Sequence, residues 1–380
     1  MQQTTRRRFL GATGTAWIVA SAGCVGISDD AGVDSNGVDD LADADSPSSA
    51  ENETGTGVEV SENGPPTVER TLPQEYGEDE LEDAALSGGP PPDGIPSVDD
   101  PVFTAADDPP ANLDDGDPVF GVELNGEAKA YPQYVLVWHE IVNDVVGGES
   151  VAITYCPLTG TAQGFYRGDV EFGVSGQLIN SNLVMFDRPT ESWWPQMPAS
   201  GISGPHRGAV LEEFQVTWTT WERWREGHPD TVVLTEDTGF VRDYGGDPYG
   251  GYNPPSGYYS NDNTLFAPLA TDDRLEKKAV VLGVRNADGT MAVPKERVRA
   301  RRIVEGTVRD VPYVTVYDPS LDTGYVYRNP DDRSVEYDDG SVAVDGEDFE
   351  PDSLPLEREI AFDAMWFAWY GYYPSTVVHE

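Results

Sequence analysis

Val119-Phe120-Gly121-Val122-Glu123-Leu124-Asn125-Gly126-Glu127-Ala128-Lys129-Ala130-Tyr131-Pro132 is the stretch that decides the fold. Two runs fit for strands flank Asn125-Gly126, a pair whose backbone freedom suits a two-residue hairpin turn. A short helical turn follows, then a strand, a Gly147-Gly148 turn and another strand reaching Cys156. The phrase returns 162 residues later without a gap. Val119, Gly121, Val122, Ala130, Pro132, Ile141, Val142, Val146, Tyr155 and Pro157 recur as Val281, Gly283, Val284, Ala292, Pro294, Ile303, Val304, Val308, Tyr317 and Pro319. Such a repeat predicts two pseudo-symmetric copies, near 119–167 and 281–328, within one large domain. The copies are expected to pair or pack about a pseudo-twofold axis. The fold class expected is mainly β with a few short helices, a β-rich α+β protein. Further strands are read at Val170-Glu171-Phe172-Gly173-Val174 and Val232-Val233-Leu234. Helices are expected over 220–226 and 361–370. Trp218, Trp221 and Trp224 recur every third residue and read as a core-facing stripe on one helix.

Charge bounds the function. The chain has 24 Lys+Arg against 68 Asp+Glu, a net charge of -44. That excludes nucleic acid as an expected partner, because phosphate binding needs cations. An acidic surface of this size repels itself in dilute salt and is screened in molar salt. The balance therefore predicts a halophilic, haloarchaeal protein. It also makes most acids here solvated surface residues.

The N-terminus carries Arg6-Arg7-Arg8-Phe9-Leu10, a short apolar stretch and Ser21-Ala22-Gly23-Cys24. A basic start, a short apolar region and small residues at a cut define a signal peptide, expected over 1–23. The arginines resemble a twin-arginine export signal, and the small residues before Cys24 resemble a lipoprotein box. Lipid on Cys24 then holds the chain to the outer face of the cell membrane. Residues 24–95 are rich in Asp, Glu, Gly, Ser and Pro, and are expected to form a disordered acidic tether. A body over 96–380 follows. With Cys24 lipidated, Cys156 is the remaining thiol and no internal disulfide forms.

The repeat serves as an internal control: what both copies share is fold, and what one copy adds is a candidate for function. His139, Glu140 and Cys156 fall opposite Arg301, Arg302 and Asp318. Here the chain resembles the domain-of-unknown-function family 3179, over roughly Asp117 to Pro374. The resemblance rests on His139-Glu140-Ile141-Val142-Asn143-Asp144, Tyr155-Cys156-Pro157-Leu158, Ser175-Gly176 and Asp247-Pro248-Tyr249. It implies no known activity. Relatives look like Cys-Pro-Leu-Cys where this chain ends in Thr159, so a dithiol site is not available.

Three readings stay open for the site. Thiolate and imidazole suit copper or zinc, with His139, Glu140, Cys156 and Met185 (or Met197) as the set. Cys156 and His139 instead suit the nucleophile and base of a thiol-dependent hydrolase. The plainer reading makes Cys156 a small buried residue ending a core strand, in a non-catalytic binding or scaffolding module. Asn180, Asn182, Asp187, Arg188, Gln196 and Tyr249 are candidates for a substrate rim; capping and loop-organising roles are the plain alternative. The Tyr244–Tyr252 loop, rich in Gly and Tyr, lines a pocket or pins itself to the core. His228 is expected at the surface and His379 in a disordered end.

Overall fold

The computed structural model describes residues 63–338 and 340–380. The signal peptide, Cys24 and the first part of the tether lie outside the described residues. Among the described residues, no helix is long and apolar enough to cross a membrane. The described residues are mainly β, with five short α-helices and several sheets among them.

β1 (Pro118–Leu124) and β2 (Glu127–Pro132) form an antiparallel hairpin in which Val119 faces Pro132 and Leu124 faces Glu127. Asn125 and Gly126 both take positive φ, 51° and 80°, the pattern of the tight turn that matches strand twist. Helix α1 (Gln133–His139) starts directly after Pro132. β3 (Ile141–Val146), β4 (Glu149–Cys156) and β5 (Thr161–Tyr166) then make an antiparallel meander. β6 (Phe172–Ile179) and β7 (Asn182–Asp187) form a bulged hairpin. β8 (Thr217–Thr220) joins the free edge of β1 and leads into α2 (Trp221–Gly227). Val232–Leu234 runs parallel to β2.

The second set has the same grammar. β9 (Val280–Asn286), β10 (Gly289–Pro294), α3 (Lys295–Arg301), β11 (Ile303–Val308), β12 (Val311–Asp318) and β13 (Thr323–Arg328) each begin and end 162 residues after a counterpart. β14 (Ala361–Met365) joins β9 as β8 joins β1, leads into α4 (Trp366–Tyr372), and Val377–Val378 runs parallel to β10. The two sets occupy separate sheets and share no ladder. They meet where β14 packs on β5 and β8 packs on β13.

Gly121 and Gly283 have a steric cause. A Cβ there would sit 2.2 Å from the Trp224 ring and 2.1 Å from the Trp369 ring. Each tryptophan donates its indole N–H to a threonine hydroxyl, Thr231 at 2.9 Å and Thr376 at 3.0 Å. The glycines open the hairpins so that a ring from the next helix can lie on them.

Four expectations change. Residues 63–95 do not all behave as a tether: a helix at Glu78–Asp83 and a strand at Leu86–Ser87 form, and Leu72 and Leu81 are buried in the main core. Leu72 and Leu81, with Val68, Tyr76, Ala84, Ala85 and Ile95 packed beside them, dock a segment whose average composition is acidic. Trp218 lies on β8, and only Trp221 and Trp224 are helical. The expected helix over 361–370 is a strand to Met365 and a helix from Trp366, since β14 completes the β9 ladder. His379 is buried, its Nε2 3.1 Å from the Thr307 carbonyl and its ring above Gly306.

Candidate functional site

Glu140 ends helix α1 in a left-handed conformation with φ 59°. Its N–H donates to the Leu136 carbonyl at 2.7 Å, and its carbonyl accepts from the Tyr155 N–H at 2.7 Å. Arg302 does the same after α3: φ is 70°, with bonds to Val298 and Tyr317 at 2.8 Å each. A left-handed non-glycine residue costs roughly 1–2 kcal/mol. Both sets carry that cost, so the kink belongs to the fold and the side chain is what differs. Arg302 lays its guanidinium over the Tyr317 ring, 4.6 Å from its centre. Glu140 turns inward.

Glu140 is 7% exposed, and among the described residues its carboxylate accepts no hydrogen bond. Burial alone pushes its carboxyl up to about 8. Beside it, Cys156 ends β4 at 1% exposure, with its thiol 3.5 Å from the Ser181 carbonyl. Burial, then the charge of Glu140, pushes that thiol up to about 11, against smaller pulls from Thr159 and Leu183. The counterpart Asp318 makes a turn, accepting the Ser320 N–H at 2.8 Å and its hydroxyl at 2.6 Å. One set thus ends its strand with a turn-former, the other with a buried thiol.

A tyrosine-rich loop over 244–261 lies on this pair. Asp247 organises it, accepting from the Gln133 amide at 2.9 Å, the Tyr259 hydroxyl at 3.0 Å and the Tyr249 N–H at 2.7 Å. The Tyr258 hydroxyl donates to the Leu158 carbonyl at 2.7 Å. Burial raises the Tyr249 phenol, and the charges of Glu140 and Cys156 add to it. Tyr372 of α4 completes the surround: burial raises its phenol, with Tyr373 and Cys156 adding.

His139 goes elsewhere. It is fully buried, with Nδ1 2.8 Å from the Pro96 carbonyl and Nε2 2.6 Å from the Tyr244 hydroxyl. A carbonyl only accepts, so Nδ1 carries the hydrogen and Nε2 accepts from Tyr244, which in turn accepts from Thr238 at 2.6 Å. Burial lowers its pKa, and the bond to Pro96 opposes that. Both nitrogens are engaged, and no hydrogen bond joins His139 to Cys156 among the described residues. The Cys–His pair expected from the sequence is therefore not assembled. The metal set of His139, Glu140, Cys156 and Met185 does not converge either: among the described residues no group of three or more His, Cys, Asp or Glu side chains is placed to hold a metal ion. Met185 and Met197 are core residues, fully buried.

The rim candidates mostly tie the framework. Asn180 donates to the Ala368 carbonyl at 2.7 Å and accepts the Leu269 N–H at 3.0 Å, latching α4. Asn182 donates to Thr159 at 3.1 Å and Gln196 at 2.8 Å, and Gln196 donates to Thr154 at 2.8 Å. Asp187 accepts from Thr190 and, at 2.9 Å, from the Trp194 indole. Arg188 pairs with Asp93, Asp99 and Glu171. Of the rim set, Tyr249 stands at the Glu140–Cys156 pair, and Asn182 bonds Thr159 beside Cys156. Sequence reading missed the roles of Gln133, Ser181, Tyr258 and Tyr372, and named Asp247 without its role as organiser of the loop. Asp247 alone had a signal, as the head of Asp247-Pro248-Tyr249.

A family model described as "Protein of unknown function (DUF3179)" matches residues 92–376. No curated protein and no solved structure matches the chain.

Proposed function

As the chain belongs to the DUF3179 family, we propose that it is an exported, lipid-anchored protein of a halophile's outer cell surface that encloses a small ligand at Glu140 and Cys156, beneath the 244–261 loop. Export follows the twin-arginine signal, and Cys24 carries the lipid. The two sets of elements are copies of one duplicated unit related by a pseudo-twofold axis, and the ligand site was added to the first.

The observation that carries this reading is Glu140, a carboxyl 7% exposed that accepts no hydrogen bond from the described residues and keeps solvent contact at its oxygens. Its counterpart Arg302 shows that the backbone does not require an acid there. A ligand bearing an N–H or O–H donor satisfies Glu140, and the tyrosines supply apolar walls with polar tips. Binding fits better than nucleophilic catalysis, because the attacking species is the thiolate and burial keeps Cys156 a thiol at neutral pH.

Native mass spectrometry tests the binding. A small-molecule adduct is expected on the gently purified chain, lost on denaturation and absent from Glu140→Ala. Bare wild-type protein, or an adduct of equal occupancy on the variant, overturns it. Membrane fractionation tests the anchor: Cys24→Ala should move the protein from the membrane to the medium.

A further inference from the structure

A second site lies apart from the Glu140–Cys156 pair, in a cleft of about 780 Å³ between the two sets. That volume falls within the range of small-molecule sites, roughly 300–1,000 Å³. Its aromatic wall is Trp218 and Tyr252, whose ring centres lie 4.8 Å apart. Its cationic wall includes Lys278, Lys295 and Arg297.

The chain itself indicates what such a groove takes. At the start of α1, Gln133 holds the carboxylate of Asp247 at 2.9 Å, and rings of the same loop pack alongside. The loop thus delivers an acid and aromatic rings to the first set. Lys295 stands 162 residues after Gln133, at the start of α3. Lys295 pairs with Asp363 and lines the cleft, together with Tyr252, Asn253 and Pro255 of that loop.

The lining carries both signs, with five acids and four cations. Asp363 and Asp322 are already paired, with Lys295 at 2.5 Å and Arg299 at 2.8 Å. Glu276, Glu296 and Glu380 line the cleft as well, exposed to solvent as Arg297 is. Lys278 has no carboxylate partner among the described residues; its ammonium sits 3.3 Å over the Tyr258 ring and donates to the Tyr258 carbonyl. Arg297 has no partner among the described residues. Two cations without a carboxylate partner among the described residues thus line one cleft, in a chain with 68 acids and 24 Lys+Arg. Thr219 adds a buried hydroxyl, 4% exposed, with no hydrogen-bond partner.

We propose that this cleft binds a small aromatic carboxylate, with Lys278 and Arg297 holding the acid and the packed Trp218–Tyr252 pair forming the wall against which the ring lies. Isothermal titration calorimetry on the full chain tests it, with naphthoate as the probe and the uncharged naphthamide as its control, at the lowest salt that keeps the protein folded. One naphthoate should bind per chain, about tenfold tighter than the amide, as charge-assisted hydrogen bonds give. Lys278→Met with Arg297→Gln should remove that preference and leave amide binding in place. Trp218→Ala should weaken both probes, and Glu140→Gln should weaken neither. No saturable binding, equal affinity for acid and amide, or an undiminished preference in the double variant overturns the proposal. Arg297 is exposed, so Arg297→Gln alone supplies a folded variant should Lys278→Met lower stability.

Discussion

Replacing Glu140 by Gln tests the description of that site through its pH dependence. Folding moves the Glu140 carboxyl from an ordinary 4.5 up to about 8. The folded chain therefore holds this proton more tightly than the unfolded chain does. Stability from the group is complete below pH 4.5, falls as pH climbs, and reaches its floor once pH passes about 8. The separation between 4.5 and about 8 is worth about 5 kcal/mol, at roughly 1.36 kcal/mol per pH unit. At neutral pH about 3 kcal/mol of that is already lost. Gln has nearly the same shape and no charge to desolvate. Glu140→Gln should then match the wild type within about 1 kcal/mol near pH 4.5, and exceed it by about 3 kcal/mol at pH 7 and about 5 kcal/mol near pH 9. Urea unfolding followed by tryptophan fluorescence, at fixed salt and several pH values, reads this difference. Other titrating groups cancel, because they are common to both chains. A difference that stays flat with pH, or shrinks as pH rises, refutes a buried and unpartnered Glu140.

Three further outcomes follow from the packing. Cys156, held as a thiol up to about pH 11, should alkylate far more slowly at pH 8 in the folded chain than in urea, and a rate equal to that of a free thiol would contradict its burial. His139→Ala should cost about 2–3 kcal/mol in urea melts through its two lost hydrogen bonds without changing the alkylation rate of Cys156; an altered rate would restore the Cys–His pairing. Gly121→Ala and Gly283→Ala should each destabilise by at least about 1–3 kcal/mol through overpacking on Trp224 and Trp369, and circular dichroism melts that match wild type would show that the rings move aside freely.

Local chemistry made much of the framework legible. Asn125-Gly126 and Gly147-Gly148 marked turns that form with positive φ, because a hairpin turn is decided by its own two residues. The helix after Thr220 was legible, expected over 220–226 and found at Trp221–Gly227, but the strand placement of Trp218 was not. Trp218, Trp221 and Trp224 share a helical spacing, but the ladder between β8 and β1 captures the first of them. The site was half legible. Opposing Glu140 and Cys156 to Arg302 and Asp318 singled out the two residues that meet. His139 was drawn away by the Pro96 carbonyl, which precedes it by 43 positions, and by Tyr244, which follows it by 105. Such contacts arise only once the chain has closed, and no spacing rule encodes them. The acidic composition of 63–95 hid Leu72 and Leu81 in the same way, since averages do not report where two side chains go.

The shared left-handed residue after α1 and α3 makes this chain a natural grafting host. Main-chain strain usually defeats the transplant of a buried acid, because the recipient backbone must be bent to receive it. Here the recipient is already bent, with Arg302 at φ 70° against 59° for Glu140. Writing Arg302→Glu and Asp318→Cys into the second set would reproduce the donor pair without asking the backbone to move. The transplanted pair would have no tyrosine loop above it, so comparing it with the original would separate the work of the two residues from the work of their cover.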